Sequence, residues 1–387
     1  MRFTWLEFFA GGGMARLGLG DRWRCLLANE WDPKKAQAYR RKFGSGESLS
    51  CPELRVCDIA TLTPGDIPAA PALAWASFPC QDLSLAGAGA GLRGERSGTF
   101  HALWRLLESC SEAGLAPSTI VLENVTGLLT SHEGRDFEFI ISRLVSKGFA
   151  VGALVIDAIA FLPQSRPRLF IVATQPGSDA IQGISGNHPT VDWHPPALRK
   201  AFAALPLDLQ QKWVWWDMPR PPYSELTLSD IVRDDGAGVR WHTRQETARL
   251  LGMMSDRNRA KLREAIASGH RHVGAVYRRT RPDGNGGRIQ RAEIRFDGVS
   301  GCLRTPAGGS SRQIIVVVEG KRVRSRLITA QEAARLMGVE PSSYPIPERY
   351  NDAYHLFGDG LAVPAVSWLA THILCPLVRA RYSSLAA

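Results

Sequence analysis

The chain has 387 residues, 44% of them hydrophobic, and carries a formal net charge of +10. That length supports two or three domains with a sizeable core, and the basic balance points to a polyanionic partner, nucleic acid before membrane. Seven cysteines, an odd number without a C-x-x-C pair, argue against a disulfide framework or a zinc ribbon and for a reducing cytoplasm, with no metal expected.

The start, "MRFTWLEFFAGGG", enters a strand at once and leaves no room for a signal peptide; no apolar run reads as a membrane span. The strand runs into a turn at Gly11, Gly12 and Gly13. Glycines there let the backbone turn tightly and approach a ligand, or simply join strand to helix. "RCLLANEWD" reads as a second strand ending at Glu30, and "CDI" puts Asp58 at the end of a third. One carboxylate can accept both hydroxyls of a ribose, and an acid at the third strand end suits an exocyclic adenine amine. Each alone could equally be a solvated loop acid. With the glycine turn they outline an adenosine pocket.

"ALAWASFPCQ", "TIVLENV" and "RLFIVAT" continue the strands, with helices such as "FHALWRLLESCSEAG" and "GRDFEFIISRLVSKG" between them. This alternation predicts a mostly parallel sheet covered by helices, with ligands outside the carboxyl ends of the strands. In "FPCQDLSLAGAGAGLRGERSG", Cys80 sits between Pro79 and Gln81, ahead of a loop rich in glycine and alanine. A buried structural cysteine needs neither feature; a nucleophile presented to a large substrate and then covered could use both. Glu123 ends an apolar strand, where partial desolvation favours its protonated form, although a cap or a salt bridge would fit as well. In "QSRPR", Arg166 and Arg168 fall on one face of an extended segment, or form a basic surface edge.

From about Pro176 the chain turns Pro/Gly-rich, and a boundary is expected there: 1–180 as the catalytic domain, 181–327 as a smaller irregular domain, and 328–387 returning to the first. Within the second, "KWVWWD" reads as a local hydrophobic core. Arg278, Arg279 and Arg281 cluster beside a "DGNGG" turn, and Arg304, Thr305, Ser310, Ser311 and Arg312 flank a Gly-Gly turn. "LITAQEAARLMG" carries a capping box at Thr329 and Glu332, and an apolar helix closes the chain.

Taken in this order, "FFAGGG", "NEW", "FPCQ", "ENV", "QSRPR", "LITAQEAARLMG" and "FGDGLAVPAV" resemble the DNA (cytosine-5)-methyltransferase family over most of the chain. The resemblance implies an α/β, Rossmann-like methyltransferase domain with a mostly parallel sheet, plus a smaller target-recognition domain. It implies S-adenosyl-L-methionine as cofactor, against Phe9, Gly11, Gly13, Glu30, Trp31, Asp58, Ile59, Pro79, Phe100 and Asp359. It makes Cys80 the nucleophile toward cytosine C6, Glu123 the proton holder at N3, and Arg166 and Arg168 the groups that bind the base and steady Glu123. Gln81 and Ser84 would touch DNA in a closing loop. Arg278, Arg279 and Arg281 would hold phosphates, while Arg304, Thr305, Ser310, Ser311 and Arg312 would read bases.

The partners so implied are double-stranded DNA and, in a bacterial restriction–modification or other DNA-modification system, a companion endonuclease. The protein would act as a monomer in the bacterial cytoplasm or nucleoid. A tRNA cytosine-5 methyltransferase, whose branch carries a Cys-Phe-Thr tripeptide absent here, and a non-catalytic DNA-binding regulator are the alternatives. Glu7 stands where the family usually has Asp, and Asp359 where it usually has Asn.

Overall fold

The computed structural model describes residues 2–79, 98–175, 180–236, 238–282, 287–304 and 312–386. It divides into two units: Met1–Asp157 with Pro167–Pro221 and Val363–Ala387, and Ala158–Arg166 with Pro222–Ala362.

Unit 1 is built on seven strands: β1 (Phe3–Phe8), β2 (Trp23–Asn29), β3 (Leu54–Arg55), β4 (Leu73–Ala76), β5 (Thr119–Val125), β6 (Ala150–Asp157) and β7 (Pro167–Thr174), in the order β3-β2-β1-β4-β5-β7-β6. The first five are mutually parallel, and β7 runs antiparallel to both neighbours. Helices α1 (Met14–Leu19), α2 (Pro33–Phe43), α3 (Thr99–Glu112) and α4 (Arg135–Ser146) link the strands. All four residues of β4 are buried, as a strand covered on both faces requires. Phe137, Ile140, Ile141 and Leu144 bury one stripe of α4 in that core, at helical spacing.

This topology positions the site. The carboxyl ends of β1, β2, β4 and β5 lie at one edge of the sheet. Because β7 is antiparallel, its first residues reach the same edge, with Arg168 paired to Val125.

The closing helix, Val363–Leu369 continuing through Ala370–Leu374 into Cys375–Ala386, belongs to unit 1. Ser367 Oγ donates to the Gly18 carbonyl at 2.8 Å, and a Cβ on Gly18 would stand 2.4 Å from Val366 Cβ. The helical run Tyr350–Tyr382 is long and apolar enough to cross a membrane by composition, contrary to the reading of the sequence. Val366, Leu369, Ile373, Leu374 and Leu377 are nonetheless buried in the protein.

The unit boundaries also differ from expectation. Unit 1 continues to Pro221 because β8 (Ser185–Gly186) pairs with β9 (Trp215–Trp216), Val151 donates to the Lys212 carbonyl and accepts the Val214 N–H, and Trp216 Nε1 donates to the Val172 carbonyl. "WVWWD" packs as a local hydrophobic core: Trp216 is buried, Trp213 and Trp215 meet edge-on, and Phe202 packs against both. Residues 328–362 fall in unit 2 rather than returning to unit 1.

Unit 2 carries an antiparallel sheet of β10 (Arg271–Pro282), β11 (Arg288–Arg295), β12 (Ile314–Glu319) and β13 (Arg322–Leu327), in the order β11-β10-β12-β13. The helices Arg244–Gly252 and Asp256–Ala267 supply Leu250, Leu262 and Ala265 to a core with Val276, Ile294, Ile314 and Val316. The capping box forms as expected, with Glu332 Oε2 accepting the Thr329 N–H at 2.8 Å. Glu332 also binds Arg326 through both carboxylate oxygens, at 2.8 and 2.6 Å, with both side chains buried.

Candidate active site

The glycine turn after β1 is bonded to the end of β2. Glu30 is buried, and its Oε2 accepts the Gly11 N–H at 2.7 Å while Oε1 accepts the Asp32 N–H at 2.8 Å. A carboxylate has about four lone-pair directions, so two remain for a ligand. Gly11 has φ 56°, and a Cβ there would meet nothing within 4 Å. The turn therefore presents bare backbone to open space. Gly13 is different: at φ 78° its Cβ would stand 2.3 Å from Phe43 Cε2, so this glycine serves the packing of α2. Phe9 takes φ 58° to begin the turn.

Beneath the turn lies a network that the sequence did not announce. Tyr39 Oη donates to Glu7 Oε2 at 3.0 Å, and Arg16 donates to Tyr39 Oη at 3.0 Å and to Glu53 at 2.8 Å. Burial pushes the Glu7 carboxyl up to about 8, against the opposing pull of Tyr39 and Arg16.

Asp58 is exposed, and its Oδ1 caps a short helix at the Ala60 N–H while Ile59 beside it is buried. Trp31, directly after Glu30, is 75% exposed, an uncommon state for a tryptophan and one that suits stacking on a planar ligand. Glu30, Gly11, Trp31 and Asp58 thus supply what an adenosine needs: hydroxyl acceptors, bare backbone, an aromatic face and an amine acceptor. The donor set fits S-adenosyl-L-methionine.

Phe100 does not join this set. Its ring packs among Phe78, Trp104 and Phe139, so its work is core packing.

At the ends of β4 and β5, Asn124 Nδ2 donates to the Phe78 carbonyl at 3.0 Å, tying the segment that leads into Pro79 to the "ENV" strand. Glu123, buried, has Arg168 Nε 3.3 Å from its Oε1. Cys80, Gln81 and Ser84 lie outside the described residues.

Arg166 corrects the expectation of two arginines on one base. It is buried in unit 2 and donates to the carbonyls of Leu303 at 3.0 Å, Gly358 at 2.8 Å and Gly360 at 2.6 Å. It therefore steadies the backbone on either side of Asp359. Gln164 acts likewise, donating to the Leu336 carbonyl and accepting the Leu303 N–H at 3.2 Å. "QSRPR" thus divides its labour: Gln164 and Arg166 brace unit 2, and Arg168 reaches Glu123.

On the β10–β11 hairpin, Arg281 lies 2.6 Å and Arg279 3.5 Å from Glu293, so both are ion-paired. Arg278 instead lines a cavity of about 350 Å³ with His242, Glu246, Arg249, Gln290 and Arg312. Arg304 is exposed; Thr305, Ser310 and Ser311 lie outside the described residues.

Comparison with known proteins decides the family. The model of the C-5 cytosine-specific DNA methylases matches residues 3–375. The chain belongs to that family. It is 27% identical over 379 residues to the type II methyltransferase M.NlaX of Neisseria lactamica, covering 97% of both chains. Against M.BsuFI of Bacillus subtilis it is 36% identical over 178 residues, 46% of this chain and 40% of that one. The crystal structure of S. pombe Dnmt2 methyltransferase shares the fold, with a TM-score of 0.61 at 17% identity over 97% of this chain and 99% of that one. The methylase fold accounts for the strand order, in which an antiparallel β7 brings Arg168 to the edge where β5 ends.

Several residues of the methylase site were not assigned from sequence. Asn124 was legible only as part of "ENV". Tyr39 and Arg16 carried no signal, because their partners Glu7 and Glu53 lie 32 and 37 residues away. The separation of Arg278 from Arg279 and Arg281 could have been found from strand alternation in "VYRRTR".

Proposed function

We propose that this methylase transfers a methyl group from S-adenosyl-L-methionine to C5 of a cytosine flipped out of a specific duplex DNA site, through a covalent bond between Cys80 and C6. The observation that supports it best is the junction of β4, β5 and β7. Asn124 holds the backbone that leads into Pro79 and Cys80, and Arg168 holds Glu123 at the same sheet edge.

Cytosine C5 is too weak a nucleophile to take a methyl group unaided. The Cys80 thiolate adds to C6, the C5–C6 π electrons become available at C5, and Glu123 gives a proton to N3. The bound cofactor supplies an electrophilic methyl group. The C5 proton then leaves to a base, the C6–S bond breaks, its electrons leave with sulfur as thiolate, and those of the C5–H bond restore the ring. Glu123 recovers its proton. Arg168 keeps the Glu123 carboxyl aimed and balances its charge while the proton is on N3. A stacked base cannot reach these groups, so the nucleotide must be extruded, at a cost of a few kcal/mol.

The likeness to type II methyltransferases favours a DNA-modification role, with a companion endonuclease, over transfer to RNA. Bisulfite sequencing of duplex DNA treated with the enzyme and its cofactor should show methylcytosine in one sequence context. Cys80→Ser should abolish it and leave DNA binding largely intact. A serine variant of near wild-type rate would defeat the proposal.

A further inference from the structure

The β10–β11 hairpin sorts its cations by strand parity. Residues paired across an antiparallel ladder point to the same face. Arg278 pairs with Ala292, and Gln290 with Thr280, so Arg278 and Gln290 share the face whose Val276, Ala292 and Ile294 enter the core. Arg279 and Arg281 leave from the other face, where Glu293 holds them.

Beside the core face lies the cavity of about 350 Å³. Its floor is Leu250, Met253, Ile314 and Leu327. Its polar wall combines three guanidinium groups, Arg249, Arg278 and Arg312, with one carboxylate, one imidazole and the Gln290 amide. The Glu246 carboxyl is held below its usual range by the Thr243 N–H of its capping box and stays ionised. His242 is depressed by burial and engages Ser325 Oγ through Nδ1 at 2.9 Å. The wall is therefore net cationic.

Arg312 is rigidly mounted. Its Nη2 donates to Asn351 Oδ1 at 2.6 Å and its guanidinium lies 5.8 Å from the Tyr350 ring centre. The neighbouring Gln313 is wholly buried, with its N–H on Tyr354 Oη and its Nε2 on the carbonyls of Val276 and Ile314. Arg312 Nε is buried without an acceptor among the described residues.

A phosphate would gain nothing from the apolar floor, and an aliphatic ligand would leave the cations unused. A purine has apolar faces and an acceptor-rich edge, and guanine O6 and N7 accept two parallel N–H groups from an arginine. We infer that this cavity reads a guanine of the target site, with Arg278 and Arg312 on its O6 and N7 and Gln290 beside them. The inference rests on duplex DNA being the substrate. It moves Arg278 from phosphate holding to base reading and leaves Arg279 and Arg281 to the phosphates.

The test uses the full-length enzyme on a randomised-site duplex library read by bisulfite sequencing, which first shows the wild-type preference. Arg278→Lys and Arg312→Lys keep the charge and lose the two-pronged donor. Each should lower the preference for guanine at one and the same position by about tenfold or more. Arg279→Lys should keep the wild-type preference profile. Replacing that guanine by 7-deazaguanine should slow the wild type markedly and Arg278→Lys hardly at all. If both lysine variants retain the wild-type preference, or if 7-deazaguanine slows wild type and variant equally, the inference is overturned. A wild-type enzyme that methylates no cytosine anywhere in the library would instead defeat the substrate assignment beneath it.

Discussion

In unit 1 the acids after β2 and β3 bond to backbone: Glu30 to Gly11 and Asp32, and Asp58 to Ala60. In unit 2 the charged side chains bond mainly to one another. Glu293 takes Arg279 and Arg281, Asp234 takes Arg271 and Arg324, and Glu332 takes Arg326. A carboxylate fixed by two backbone N–H groups has one orientation, and its remaining lone pairs point where the fold aims them. An exposed ion pair is weak, screened by salt and open to exchange for a phosphate. The first arrangement suits one small ligand held one way; the second suits a long polyanion met in many registers.

The largest effect expected from breaking this contrast is at a fully buried unit 2 pair. Arg326→Met leaves the buried Glu332 carboxylate without its partner and should cost about 3–5 kcal/mol, read as a lowered urea midpoint. Glu293→Gln breaks an exposed pair and should cost less than about 1 kcal/mol, while raising DNA affinity at low salt as Arg279 and Arg281 are released.

Next is the backbone-held acid. Glu30→Ala should weaken cofactor binding, measured by calorimetry, by about 1.5–3 kcal/mol, because charge-assisted hydrogen bonds are lost. An unchanged affinity would place the ribose contact elsewhere.

A further effect concerns pH. Glu7 has its carboxyl raised from near 4.5 to about 8, so the folded chain holds that proton more tightly than the unfolded chain does. The stability it contributes is intact below about pH 4.5 and declines as pH rises toward about 8. The groups around it are Tyr39, Arg16, Cys25 and Glu30. Glu7→Gln should flatten the decline in melting temperature between pH 5 and 8; a parallel decline in both proteins would show that Glu7 is ionised throughout.

What could be read in the sequence was what local chemistry determines. Apolar runs marked the sheet, and Gly11, Glu30, Pro79 and Glu123 do stand at or close to strand ends. What could not be read depended on long-range partners. Arg166 and Arg168 differ by two positions, yet one braces carbonyls 137 to 194 residues away and the other meets Glu123 across the sheet. Phe100 was expected against the cofactor, and the ring cluster around it places it in the core. The end of unit 1 was hidden because the ladder between Ser185 and Trp216 joins two short segments with no strand signal of their own.

The central claim is that Cys80 attacks C6 of a flipped cytosine. It is tested most directly by incubating the enzyme and cofactor with duplex DNA carrying 5-fluorocytosine at the methylated position. Fluorine cannot leave as a proton does, so the bond to sulfur should persist. Intact-mass measurement under denaturing conditions should show protein plus methylated DNA strand in one covalent species, and peptide mapping should place the link at Cys80. Methyl transfer to normal DNA without any such species, or a link at another residue, would contradict the account.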